Sequence, residues 1–64
     1  MHTLVDNIVK DKNGNELHYI EAVGDSTEVK NLPTENIIDT SNFMASDTAG
    51  VWFFNEKTQR WIEA

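Results

Sequence analysis

The sequence predicts an all-β domain: a small antiparallel sheet of about five short strands, built from two hairpins, with at most one short helical turn. Three observations carry this. No helical period of apolar residues persists anywhere along the chain. The β-branched and aromatic residues come in short runs, Leu4–Val9, Leu17–Ala22, Phe43–Ala45, Val51–Phe54 and Trp61–Ile62. Between those runs stand Asn, Asp, Gly and Thr, the residues that turn a chain. At 64 residues the chain makes one domain, 1–64.

The first hairpin joins Leu4–Lys10 to Glu16–Ala22 through Asp11-Lys12-Asn13-Gly14-Asn15. Asn-Gly marks the turn, because both residues tolerate positive φ. Two registers compete. A two-residue loop pairs Lys10 with Leu17; a three-residue loop with Gly14 left-handed pairs Lys10 with Glu16 and Val9 with Leu17. The second sets opposite charges and apolar residues across from each other, so it is preferred. It gathers Val5, Val9, Leu17 and Tyr19 on one face. The alternate Asp11, Asn13 and Asn15 also evoke a calcium loop. Such a loop needs glycine sixth and glutamate twelfth, where this chain has Glu16 and Ala22.

Gly24-Asp25-Ser26 breaks the pattern, and Thr27–Lys30 is read as a short third strand. Asn31–Asn36 is a connector, with Pro33 forcing Leu32 extended. Thr34 is placed to cap one helical turn over 34–39, and Ile37-Ile38 to anchor the connector on the core. Phe43–Ser46 forms a short strand, and Asp47–Gly50 turns into the aromatic one.

The last hairpin, Val51–Ile62, holds both tryptophans. A type I turn over Asn55–Gln59, with Thr58 left-handed, pairs Phe54 with Arg60, Phe53 with Trp61 and Trp52 with Ile62. Side chains alternate along a strand, so Val51, Phe53 and Trp61 share one face and Trp52, Phe54 and Ile62 the other. Both faces are apolar. The first set, with Tyr19 and Leu17, is assigned to the core; Trp52, Phe54 and Ile62 are assigned to an interface with another copy.

Composition narrows the function. Eleven acidic against five basic residues give a net charge of −6, which leaves no basic patch for nucleic acid and repels an anionic membrane. Cysteine is absent, which excludes disulfides and thiolate zinc sites. No apolar stretch is long enough to span a bilayer, and Met1-His2-Thr3-Leu4 lacks the basic and apolar regions of a signal peptide. His2 and His18 are far apart and lie near no nucleophile motif, and Gly14, Gly24 and Gly50 are isolated turn glycines. Asp47 and Glu56 are the one carboxylate pair that the last hairpin brings into question. Tyr19, Trp52 and Trp61 are the residues that a glycan platform would use. No catalytic, metal or cofactor site is expected.

The second half resembles small structural proteins of tailed phages and prophages. The resemblance rests on Leu32-Pro33-Thr34, Phe43-Met44-Ala45, Asp47-Thr48-Ala49-Gly50-Val51-Trp52-Phe53-Phe54 and Thr58-Gln59-Arg60-Trp61. The pattern often has Gly directly after Asp-Thr, where this chain has Ala49. A fainter similarity, to kelch-type propeller blades, reflects shared hairpin chemistry. The phage resemblance implies a non-enzymatic virion accessory part, such as capsid decoration or a head or tail fibre component. It further implies a homo-oligomer or contacts with other virion proteins, located in the virion or the host cytoplasm. A different class is a small acidic regulatory or inhibitory protein that binds one host partner through the same aromatic patch.

Overall fold

The computed structural model describes all 64 residues. Its five strands form one sheet in sequence order: β1 (His2–Lys10), β2 (Glu16–Gly24), β3 (Asn42–Ala45), β4 (Val51–Asn55) and β5 (Arg60–Glu63). The all-β class holds. The first hairpin closes in the preferred register, Val9 opposite Leu17 and Lys10 opposite Glu16, with Gly14 at φ +82°. The Asp11 carboxylate builds its turn by accepting the Asn13 and Asn15 amides at 2.8 and 2.9 Å. The alternate Asp and Asn spacing is thus a hydrogen-bonded turn.

The sheet is not wholly antiparallel. β3 runs parallel to β2, with Ala22 opposite Phe43 and Val23 opposite Met44. Parallel neighbours need a crossover, and residues 25–41 supply it. Thr27–Lys30 is therefore no strand: it lies in a 3₁₀ helix, Ser26–Asn31. Asp25 caps that helix by accepting the Thr27 amide, and Glu28 reaches back to the Asp25 amide. This reciprocal capping box outweighs the strand preference of Thr27 and Val29. The turn expected over 34–39 is also absent; Ile37 instead makes a parallel bridge to His18.

The crossover covers one face. Leu32 and Ile37 are buried there with Ile20, Ala22, Phe43, Ala45 and Phe54, while Val29, Trp52 and Trp61 pack at the margin. Phe54 and Trp61 meet edge to face at 5.4 Å, and Trp52 tilts against Phe43 at 6.0 Å. Gly50 makes room for Trp52, since a Cβ there would lie 2.9 Å from the indole.

The last hairpin is shifted by one residue from the expected register. Asn55 pairs with Arg60, Phe54 with Trp61 and Phe53 with Ile62. The Asn55 side chain accepts the Lys57 and Thr58 amides, and Gln59 rather than Thr58 takes the left-handed position at φ +54°. A shift of one residue sends each side chain of one strand to the opposite face relative to its partner. The core assignment is corrected accordingly. Phe54 is 3% exposed, whereas Phe53, expected inside, is 44% exposed. Trp52, expected at the interface, leans on the core. Val51, Tyr19 and Leu17 are half-buried on the sheet but outside the buried cluster.

Ser41 closes a gap in the sheet. After the Ile37 bridge the chain leaves β2, and Thr40 adopts φ +74°, a costly value for a β-branched residue. That bend turns the fully buried Ser41 inward. Its hydroxyl accepts the Ile20 amide at 3.0 Å and donates to the His18 carbonyl at 3.4 Å. Its own carbonyl accepts the Phe54 amide at 2.9 Å.

Truncating the fully buried Phe43 to Ala should cost ~3–5 kcal/mol, as much as a domain of this size has in all. Ser41→Ala leaves the Ile20 amide unpaired for ~1–3 kcal/mol. Circular dichroism should therefore show Phe43→Ala unfolded at 25 °C and Ser41→Ala folded with a lower melting temperature. A Ser41→Ala chain as stable as the parent would remove this residue's structural role.

Candidate functional site

The side chains that β2–β5 turn away from the crossover form an open face. Following the register, Val23, Met44 and Val51 make one row across the sheet, and Glu21, Asn42, Phe53 and Ile62 make the next. Met44, Phe53 and Ile62 are 46%, 44% and 47% exposed. Together they leave on the order of 300 Å² of apolar surface in water, the size of the largest patch on a typical monomer.

The face is polar at two borders. On β2, the Tyr19 hydroxyl donates to Glu21 at 2.7 Å, and the Asn42 amide donates to Tyr19 at 3.4 Å. Glu21 beside it raises the Tyr19 phenol above its ordinary value, chiefly through that hydrogen bond. At the far border stands Arg60, which pairs with Asn55. An anion and a cation thus flank one apolar strip.

Other combinations raised by the sequence do not assemble. Tyr19 lies on the open face, whereas Trp52 and Trp61 lie on the covered side, where the Trp61 indole donates to the Pro33 carbonyl at 2.9 Å. These three aromatics share no platform. Asp47 and Glu56 sit in turns at opposite ends of β4. Asp47 takes both the amide and the hydroxyl of Ser26, at 3.0 and 2.7 Å, which ties the crossover to the β3–β4 turn. Ala49, at φ +59°, fills the left-handed position of that turn without glycine.

His18 Nδ1 lies 2.8 Å from Asp6 Oδ1 on the exposed end of the first hairpin. A histidine–carboxylate pair acts as a base only beside a nucleophile. The Ser41 hydroxyl, which reaches the His18 carbonyl, is buried and committed to the backbone of Ile20 and His18. A shallow cleft of about 330 Å³ lies between the two distal turns, lined by Leu17, Ile37 and Phe54 and by polar residues including Asp11 and Glu56. Its lining holds the Thr34 hydroxyl and those carboxylates, with no histidine or lysine among them. No group of three or more His, Asp or Glu side chains is placed to hold a metal ion, and no helix is long and apolar enough to cross a membrane.

Ile62 is exposed as the sequence reading expects, whereas Phe53, its partner in the strip, was hidden by the hairpin register. The signal that locates it is Asn55, whose side chain shortens the loop. Comparison with known proteins found no matching family model, no similar curated protein and no similar solved structure.

Three carboxyls are held below their ordinary range: Asp11 by the Asn15 amide, Glu28 by the terminal ammonium of Met1, and Asp47 by the Ser26 hydroxyl. Each folded value lies below the unfolded one. Their stabilisation is therefore complete above the ordinary carboxylate range and is lost as pH falls through the lowered values. Thermal melts should show a midpoint nearly flat from pH 7 to about pH 5 and falling below about pH 4. Asp47→Asn should flatten that fall. A midpoint that rises on acidification would contradict the assignment.

Proposed function

We propose that this chain is a non-enzymatic structural or assembly module that associates with its own copies through the open face of its sheet. The observation that supports this reading is the contiguous strip of Met44, Val51, Phe53 and Ile62 on three adjacent strands, left uncovered by the crossover. A second copy suits this strip. Two such faces related by a two-fold axis bury apolar rows against each other, and Glu21 of one copy comes to the border that holds Arg60 of the other.

The strip is smaller than the ~800 Å² per partner of a standard interface, so a single contact is expected to be weak. Weak contacts become firm when repeated in an assembly. That behaviour agrees with the resemblance of the C-terminal half to small phage structural proteins. The fuller reading is accordingly a virion accessory part, capsid decoration or a fibre component, with burial of an apolar surface as its only mechanism.

Sedimentation equilibrium tests the association. The wild-type chain should gain mass with concentration, with a dissociation constant of roughly 10–500 μM. Phe53→Ser with Ile62→Lys should raise that constant at least ~10-fold and leave the melting temperature within a few degrees, since both residues are half-exposed. A wild-type chain that stays monomeric into the millimolar range overturns self-association, and would give the face to a different protein, as a regulatory role requires.

A further inference from the structure

β1 is the edge of the sheet, nine residues long and exposed along almost its whole length. The other edge, β5, has four residues. A long edge presents a row of unpaired backbone groups, which a second strand can complete.

The hydrogen-bond pattern says which groups are unpaired. The Asp11 amide donates to the Asn15 carbonyl at 2.9 Å, and antiparallel pairs alternate between bonded and non-bonded. Val9–Leu17, Asn7–Tyr19 and Val5–Glu21 are then the bonded pairs. The β2 side agrees: the His18 amide donates to Asn36 and the Ile20 amide to Ser41, both away from β1. Their partners Ile8 and Asp6, and Lys10 two residues on, therefore turn their N–H and C=O groups outward. A break in register between Thr3 and Val5 ends the regular run.

We propose that two copies of this chain pair antiparallel through β1, centred on Ile8, to make one continuous sheet. In this register Ile8 meets Ile8 of the other copy, and each Asp6 meets a Lys10. Asp6, Ile8 and Lys10 each give and take a backbone hydrogen bond across the axis. Sliding the axis to Asp6 opposes two aspartates, and sliding it to Lys10 opposes two lysines. Centring on Asn7 or Val9 sets a charge against Ile8. Among the outward-turned residues only the Ile8 register sets Asp6 against Lys10 and Ile8 against Ile8, the pairing that cross-strand energetics favour, while on the other side of the strand Val9 meets Asn7.

Charges on an edge ordinarily deter pairing. Here they are self-complementary, so they select a partner. The chain carries a net −6, yet β1 holds one carboxylate and one ammonium. It is a balanced stretch on an acidic molecule, and for that reason a second copy fits it better than a basic ligand does. Ile8 is 59% exposed, an apolar side chain at the centre of the proposed axis with no cover of its own. This interface lies on the sheet's edge and is independent of the open face.

The test uses the full chain and two kinds of variant. The chain has no cysteine, so Ile8→Cys introduces a single thiol. A bonded antiparallel pair sets Cα atoms ~5.5 Å apart, within disulfide range. Mild oxidation should convert Ile8→Cys to a disulfide dimer much faster than Leu4→Cys, which stands on the same edge but off the axis. Sedimentation of Phe53→Ser/Ile62→Lys, with the face silenced, should still show a dimer. In that background Lys10→Asp should weaken the dimer about tenfold by opposing Asp6 with Asp at both symmetric contacts, and the swap Asp6→Lys/Lys10→Asp should restore it.

Equal oxidation rates at positions 4 and 8, an unaffected Lys10→Asp dimer, or a folded double swap without rescue would each overturn the edge pairing. A face-silenced chain that is monomeric throughout overturns it as well, while leaving the open-face reading standing. A face-silenced chain that dimerises as tightly as wild type overturns the open face instead.

Discussion

The architecture depends on a hydroxyl. Where the chain passes from the Ile37 bridge to β3, the backbone leaves β2, and the Ile20 amide has no backbone acceptor. Ser41 Oγ takes its place at 3.0 Å in a fully buried position. A buried amide without a partner is expensive, and a hydroxyl is the smallest side chain that both accepts and donates. The left-handed Thr40 is the strain that makes this possible, of order 1–2 kcal/mol for a residue with a Cβ. Because the Ser41 carbonyl also receives the Phe54 amide, this one residue joins β2 to the aromatic strand.

That seam decides which face the crossover covers. Its apolar residues, Val29, Leu32 and Ile37, are enough for a single face of β2–β4. The core is correspondingly small, a cluster of seven buried residues. Hydrogen bonds accepted by acidic side chains hold the periphery: Asp25 and Glu28 at the 3₁₀ helix, Asp47 from Ser26, and Asp39 from the Glu56 amide. The chain's acidity therefore has a structural use besides solubility, since a carboxylate can accept the free amides of short turns.

Much of the fold was legible in local chemistry. The Asn13-Gly14 turn set the first register because φ and charge pairing agreed there. The all-β class followed from short β-branched runs. Illegible in local chemistry were the competitions between local signals and distant contacts. Asp25 and Glu28 spell a capping box, but Thr27 and Val29 between and beside them read as strand. Asn55 and Thr58 each suit a turn, and only the choice between loop lengths separates Phe53 inside from Phe54 inside. The parallel pairing of β2 with β3 has no local signal at all. It is fixed by Ser41, Ile37 and the Ser26–Asp47 contact, each joining residues far apart in sequence. The candidate face inherits this pattern. That the last hairpin is apolar on both sides was visible from alternation, but which side stays in water was a matter of a one-residue shift.

The parallel seam also bears on how the molecule comes together. Both hairpins close through short loops, on the microsecond scale that such turns allow. Joining β2 to β3 is different, because the whole crossover must be ordered before the pairing returns any free energy. The entropic barrier is thus concentrated at one event, the docking of a preformed N-terminal hairpin against a preformed C-terminal meander. Until that event the inner edge of β2 and the aromatic strand are both unsheltered. A chain of this size so arranged spends its vulnerable moments as two halves, and Ser41 is the residue at which they become one.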